Sequence, residues 1–266
     1  MKPLARWTIG KVSKTGHEIL KESIISFKKI YPEFDYTVCY NEIELEDLET
    51  LENVSYFQQT HDCCNIQVKP FSINAWKLFP PRLRINSHEI FLDNDIVIHK
   101  RIPQIDKFLQ SNKPLCYGCN DMRINKYRRL PYGAFSSFFS IYNPASIKHR
   151  EIAQAVEGSF THNKKSKKFI LNSGIFGLPP NYEFEHEIIK FLKEANLKKW
   201  EYFDEQGLVA KCLLNKDPIF INDIEISNCW LDYKHGKYGC HFCEHNSTKR
   251  IPWEKYKNIR INNKDQ

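Results

Sequence analysis

The chain has 266 residues, of which 27% are charged and 41% hydrophobic, and its net charge is +7. This length suits one large α/β domain, and this composition is typical of a globular protein rather than a fibrous or disordered one. No apolar run is long enough to span a membrane, and no apolar stretch of a secretory signal follows the N-terminus. Nine cysteines, an odd number, argue against a secreted disulfide framework, so we expect a cytoplasmic protein.

Strand and helix patterns alternate from the N-terminus. Leu4 to Gly10 reads as a first strand, and apolar residues at helical spacing then predict a helix that stops at Pro32. Thr15 and Glu18 have the spacing of a capping box at the start of this helix. A second strand is predicted from Asp35 to Tyr40.

The alternation continues through most of the chain, with amphipathic helices predicted at 184–192 and 208–214. Strands that alternate with helices imply βα units and a mostly parallel central sheet flanked by helices. We therefore expect an α/β fold with a single domain over residues 1–266. The segment from about 222 to 266 is rich in turn-forming residues and is predicted to be an irregular closing segment.

The strongest chemical signal is Asp93-Asn94-Asp95, which separates the apolar runs 90–92 and 96–98. Two carboxylates this close to buried strands are costly unless a cation compensates them. A hard divalent cation that also binds phosphate oxygens is a natural partner for them. The alternative is an ordinary turn at a strand end, where Asp and Asn are common.

A second signal lies 148 residues further on, where His241-Phe242 precedes Lys249-Arg250 and Pro252-Trp253. The imidazole of His241 can supply a nitrogen ligand to the same ion, and a neighbouring lysine can supply a cation to a diphosphate. A single histidine is more often an ordinary core or surface residue. Its significance comes from pairing with the two aspartates.

These motifs resemble those of GT-A glycosyltransferases, and in particular glycosyltransferase family 8 and its relatives. Leu92-Asp93-Asn94-Asp95 resembles their Asp-x-Asp motif, and His241-Phe242 through Pro252-Trp253 resembles their C-terminal His-Phe…Lys-Pro-Trp element. Asn172-Ser173-Gly174 resembles their Asn-Ser-Gly loop, and Asp204-Glu205-Gln206 resembles the acidic start of a helix near the reacting centre. This chain departs from the pattern by the inserted Arg250-Ile251.

The resemblance implies a GT-A domain that transfers a sugar from a nucleoside diphosphate-sugar, UDP-sugar foremost, to a glycan, lipid or protein acceptor. Likeness to family 8 implies retention of configuration, whereas an inverting enzyme would use Asp204 or Glu205 as general base, and the sequence leaves both open. It implies Mn²⁺ or Mg²⁺ as cofactor, with Asp93, Asp95 and His241 as ligands. Asp204 would cap a helix, and Glu205 or Gln206 would face the acceptor, these three being the candidate catalytic residues. The expected donor-binding residues are Ile9, Gly10, Lys11, Asp93, Asn94, Asn172, Ser173, Gly174, Lys249 and Arg250.

Three other readings of the sequence remain open at this stage. A metal-dependent nucleotidyltransferase also uses paired aspartates and a parallel sheet, although it more often has a glycine-rich loop after the first strand. The pairs Cys116/Cys119 and Cys240/Cys243 could instead form a structural zinc site in a binding module. The basic clusters leave peripheral membrane contact open, whereas no nucleic-acid-binding module is recognisable, so no nucleic-acid partner is expected.

Overall fold

The computed structural model describes residues 1–67, 73–119, 170–194, 204–213, 216–222, 225–229, 233–242 and 250–262. Within these ranges seven strands form one central sheet, in the spatial order β3-β2-β1-β4-β7-β6-β8. The strands are β1 (Leu4–Ile9), β2 (Asp35–Tyr40), β3 (Ser55–Gln58), β4 (Glu89–Asp93), β6 (Leu115–Cys119), β7 (Ile170–Leu178) and β8 (Ile219–Asn222).

The sheet is mostly parallel, as the sequence predicts. The pairs β1–β2, β1–β4, β2–β3 and β6–β8 are parallel, whereas β7 runs antiparallel to both of its neighbours, β4 and β6. The central position belongs to β4, because three strands lie on each side of it. Consequently the residues that follow β1, β2, β3 and β4 all meet at one edge of the sheet.

Helices cover both faces of this sheet. The helices α1 (Lys14–Ile30) and α2 (Pro103–Leu109) pack on one face, against Trp7 and other buried side chains of the strands. The helices α3 (Phe184–Glu194) and α4 (Asp204–Leu213), with the 3-10 segment Ile73–Leu78, pack on the other face around Phe91 and Phe176. The two predicted amphipathic helices therefore correspond to α3 and α4.

The C-terminal part of the chain is more regular than the sequence predicts. It contains β9 (Ile226–Asn228), β10 (Gly239–His241) and a 13-residue helix, α5 (Arg250–Asn262). The strand β10 pairs with β9 and with β5 (Ile96–Ile98) in a small second sheet. The expectation of an irregular segment was wrong for two reasons. The strands are only three residues long, too short for an alternating pattern to show, and Pro252 reads as a turn signal although it lies in the first turn of α5.

Two local expectations also need correction. Ser13, not Thr15, caps α1, since the Ser13 hydroxyl accepts a hydrogen bond from the backbone N–H of Gly16. Asn172-Ser173-Gly174 is not a loop but part of β7, at a point where the pairing with β6 shifts. No helix in the described ranges is long and apolar enough to cross a membrane.

Candidate active site

Polar residues gather where β1 and β4 end, at the carboxyl edge of the sheet. Asp93 is the last residue of β4 and lies beside Thr8 of β1, so Ile9, Gly10 and Lys11 follow at the same edge. Ligands of open α/β sheets bind at this edge. The half-buried Asn94 lies in the turn that joins β4 to β5. The two strands on either side of the aspartate motif thus place its carboxylates at the usual ligand edge.

The small second sheet brings His241 to the two aspartates. In that sheet His241 pairs with Ile96, the residue after Asp95, and the backbone N–H of Phe242 donates to the carbonyl of Asp95 over 2.9 Å. The Nε2 atom of His241 then lies 3.2 Å from Oδ1 of Asp95 and 3.9 Å from Oδ2 of Asp93. One potential ligand atom from each of the three residues lies within 4.8 Å of the others.

The donor set and the space around it fit a divalent ion. Two carboxylates and one imidazole are ligands that suit Mn²⁺ and related cations. Gly174 of β7 borders this group: a Cβ atom there would lie 2.6 Å from Cε1 of His241 and 3.2 Å from Oδ2 of Asp93. Glycine is therefore the residue that lets β7 approach the three side chains. Among the residues the structure describes, this is the one group of three such side chains.

A buried lysine that sequence reasoning missed adjoins this group. Lys77 lies in the 3-10 segment, and its Nζ donates to Oδ1 of Asp93 over 2.7 Å and lies 3.1 Å from Oε1 of Glu205. It also contacts the hydroxyl of Ser173 at 3.3 Å. Burial disfavours the charged amine, but the carboxylates of Asp93 and Glu205 outweigh burial and raise the pKa of Lys77 above its ordinary value. Lys77 is thus a cation fixed beside the metal-ligand group.

Glu205, one of the two residues expected to face the acceptor, is buried and engaged by other side chains. It is 1% exposed, it accepts a hydrogen bond from the Ser173 hydroxyl, and it pairs with Lys77. Burial raises the pKa of Glu205, and the contacts with Lys77 and Ser173 act against that rise. Gln206 is only half buried, and its Oε1 accepts from the backbone N–H of Ser173 over 3.4 Å. The helix α4 begins at Asp204, which agrees with a helix start there.

The remaining expected donor-binding residues fall in different places. The side chain of Asn172 bonds to its own strand, since its Oδ1 accepts a hydrogen bond from the backbone N–H of Gly174 over 2.8 Å. Gly10 lies against Asn41, whose Oδ1 would be 2.8 Å from a Cβ atom at position 10. Lys249 lies outside the described residues, and Arg250 is described only as the first residue of α5.

The cysteines do not form the zinc site considered above within the part of the chain that is described. Cys116 is buried with the α3 and α4 side of the core, whereas Cys240 lies in a separate cluster around Phe242 and Trp253. The side chains of Cys119 and Cys243 are outside the description. Burial raises the pKa of the Cys116 thiol well above its ordinary value, which suits an inert core residue.

A groove of about 620 Å³ lies away from these residues, between α1, α5, the loop residues Leu48 to Leu51 and Tyr56 of β3. None of the predicted metal-binding, donor-binding or catalytic residues lines it. The candidate site is therefore defined by its side-chain cluster and its place at the sheet edge, not by this groove.

The geometry can be compared with known proteins. No protein-family profile and no curated protein matches the sequence. Among solved structures, an active-site mutant of LgtC superposes with a TM-score of 0.58 at 9% identity, covering 97% of this chain and 95% of that one. The chain has the GT-A glycosyltransferase fold.

Two further structures agree with this assignment of the fold. The galactosyltransferase LgtC with donor and acceptor sugar analogues gives a TM-score of 0.55 at 9% identity, over 96% of this chain and 94% of that chain. The bifunctional glycosyltransferase WbbM gives 0.52 at 14% identity, over 86% of this chain and 40% of WbbM. At these identities the likeness shows the fold alone.

Proposed function

We propose that this protein is a divalent-metal-dependent glycosyltransferase that takes a sugar from a nucleoside diphosphate-sugar, with UDP-sugars as the first donors to test. The observation that carries this proposal is the group of Asp93, Asp95 and His241 at the carboxyl end of the central strand, with Lys77 beside it. A bound Mn²⁺ or Mg²⁺ would neutralise the charge that develops on the leaving diphosphate.

Different residues of the protein would bind the metal, the diphosphate and the rest of the donor. Asp93, Asp95 and His241 would hold the metal on the diphosphate side. Lys77 keeps Asp93 in a fixed position and presents a positive charge to that side of the site. Ile9 to Lys11, after β1, and Gly174, in β7, would line the path of the nucleotide and the donor sugar.

Retention of configuration is the stereochemical outcome we propose. An inverting enzyme needs a carboxylate that is free to accept the acceptor proton. The side chain of Glu205 is 2% exposed and is engaged by a cation and a hydroxyl, which makes it a poor general base. Gln206 and Asn172 are half buried and carry no charge, so they would orient the sugar or the acceptor rather than take up a proton.

The decisive experiment is a donor-hydrolysis screen. Purified protein is incubated with a panel of nucleotide sugars, with Mn²⁺ or with EDTA, and the release of nucleoside diphosphate is measured. We expect release from one class of donor that EDTA abolishes and Mn²⁺ restores. Asp95→Asn should lose at least about 100-fold of this activity. The control Asp217→Asn removes the charge of a side chain that is 81% exposed, just before β8, and this variant should retain the activity.

A second assay, in which the protein is given nucleoside triphosphates and sugar phosphates in place of the nucleotide sugars, tests the competing function. A nucleotidyltransferase would instead form pyrophosphate from a nucleoside triphosphate and a sugar phosphate. Pyrophosphate release without nucleoside diphosphate release, or activity that does not change with EDTA, would overturn the proposal.

A further inference from the structure

Lys77 lies near the end of the 3-10 segment Ile73–Leu78, and two buried side chains bond to the backbone carbonyl groups there. Gln59 donates from Nε2 to the carbonyl of Trp76 over 2.6 Å and also to the carbonyl of Phe79. Arg6 donates to the carbonyl of Lys77 over 3.2 Å and to that of Pro80 over 2.9 Å. Within the residues 76–80, four carbonyl groups therefore accept hydrogen bonds from Arg6 of β1 and from Gln59, the residue after β3.

Gln59 is itself fixed from its other side. Its Oε1 accepts from Nδ2 of Asn41 over 2.9 Å, and Asn41 also donates to the carbonyl of Ile9. Gln59 is 4% exposed and Asn41 is 2% exposed. Because buried amides are stable only when they are bonded, this chain of hydrogen bonds leaves Gln59 one orientation. The network runs from the ends of β1 and β2 to the segment beneath Lys77.

Arg6 is an unusual residue for the middle of a central strand. It is 1% exposed, it pairs with the fully buried Glu89 at 3.2 Å, and its guanidinium lies over the ring of Phe91. A buried ion pair contributes little to stability compared with apolar residues of the same size. Glu89 also accepts hydrogen bonds from the backbone N–H groups of Leu83 and Arg84. Both partners of this ion pair are thus used to hold the backbone from 77 to 84.

We propose that Arg6 and Gln59 are positioning residues that fix the amine of Lys77 between Asp93 and Glu205. The two carboxylates lie 2.7 and 3.1 Å from that amine, so a small shift of the 3-10 segment would separate it from one of them. The consequence for turnover rests on the proposed function. The consequence for the position of Lys77 does not.

The first test measures the position of Lys77 without any donor. Acetic anhydride labels exposed lysines, and mass spectrometry of the peptide that contains Lys77 gives the labelling rate. In the wild-type protein, Lys77 should react slowly, because its side chain is 8% exposed and doubly paired. In Gln59→Leu and Arg6→Lys we expect Lys77 to react about 10-fold faster, since the segment that carries it opens more often. Arg6→Lys keeps a positive charge beside Glu89, so we expect this variant to remain folded.

The control is Tyr31→Phe. It removes a buried hydroxyl that accepts from the backbone N–H of Ile102 over 2.6 Å, on the opposite face of the sheet. This variant should lose comparable thermal stability while Lys77 stays protected. If Lys77 stays protected in Gln59→Leu and Arg6→Lys, or if Tyr31→Phe exposes it equally, the proposal is wrong.

The second test uses the donor found in the hydrolysis screen. Gln59→Leu should lower kcat about 10- to 100-fold and weaken the binding of UDP with Mn²⁺ by a smaller factor, because Lys77 also holds the metal-ligand candidate Asp93. In a Lys77→Gln background the same substitution should add no further loss, because its effect passes through Lys77. An equal further loss in that background would show that Gln59 acts on activity by another route. Absence of turnover with every donor, together with selective exposure of Lys77, would refute the proposed function and leave the positioning role supported.

Discussion

Position 174 is occupied by glycine because three polar side chains converge there. A Cβ atom would lie 2.6 Å from His241, 2.8 Å from the amide oxygen of Asn172 and 3.2 Å from Asp93. The first two distances are shorter than any real contact, so at least one side chain would have to move. His241 and Asp93 belong to the proposed metal site, whose ligands tolerate little displacement.

We predict that Gly174→Ala will weaken Mn²⁺ binding about 10- to 100-fold while the protein stays folded. The matched control is Gly177→Ala, three residues further along β7, where a Cβ atom would meet Phe108 at 2.8 Å and Leu115 at 3.0 Å. This substitution disturbs the core and should lower the melting temperature without changing Mn²⁺ affinity. Titration calorimetry with Mn²⁺ and thermal melting separate the two effects. Wild-type Mn²⁺ affinity in Gly174→Ala would contradict the assignment of this site.

At the scale of elements, the helix α5 is docked on α1 by polar contacts as well as by its aromatic side chains. The indole N–H of Trp253 donates to Glu18 over 3.1 Å, and Lys257 lies 3.4 Å from the same carboxylate oxygen. Trp253 also packs against Phe242 in the cluster next to His241. The docking of α5 therefore supports the short strand that carries the histidine.

This docking predicts a pH dependence of stability. The hydrogen bond from Trp253 and the charge of Lys257 lower the pKa of Glu18 below its ordinary value of 4.5, although partial burial acts against this shift. A lowered pKa in the folded state contributes stability above pH 4.5, and this contribution disappears as the pH falls through the lowered pKa. Glu18→Gln keeps an acceptor for Trp253 and removes the titration. We expect the difference in melting temperature between the wild type and Glu18→Gln to shrink as the pH falls below 4.5.

The control for this experiment is Glu46→Gln, which changes an exposed carboxylate in the segment Leu45–Asp47. Its melting temperature should stay at a constant difference from that of the wild type across the same pH range. A constant difference for Glu18→Gln as well would show that α5 does not depend on the charge of Glu18.

At the scale of the whole molecule, the site joins parts of the chain that are far apart in sequence. The candidate metal ligands come from the end of β4, the turn after it and β10, whereas Ser173, Glu205 and Gln206 come from β7 and α4. Lys77 lies between these two groups and contacts both. We propose a division of roles, with nucleotide binding on one side and the reacting sugar on the other.

We predict that Gln206→Ala will lower turnover about 10-fold or more without weakening the binding of UDP in the presence of Mn²⁺, since its contacts belong to the reacting centre. Asp95→Ala should lose the Mn²⁺-dependent binding of UDP itself while its melting temperature stays near that of the wild type, because it relieves the repulsion between two carboxylates in the metal-free protein. Titration of UDP against each variant makes the distinction. Equal losses of UDP affinity in the two variants would show that the site is not divided in this way.

Much of the sheet could be predicted from local sequence. β1, β2 and the strands around Asp93-Asn94-Asp95 have the apolar runs and breakers that define short buried strands, and they lie where the patterns place them. The helices α3 and α4 have a clear apolar spacing. Asp93 and Asp95 could be named as metal-ligand candidates because two carboxylates beside buried strands are costly unless a cation compensates them.

Other features depended on the tertiary structure. Lys77 has no local signal, because a lysine in a short 3-10 segment is ordinary until two distant carboxylates surround it. The burial of Glu205 and the extension of β7 through Asn172 to Gly174 come from packing between elements that are far apart in the chain. Residue type and local periodicity thus determined β1, β2, β4, β5, the helices α1, α3 and α4 and the metal-ligand candidates, but not β9, β10 or α5. Only the folded chain decided which charges meet, because pairing between distant residues depends on how the sheet and its helices pack.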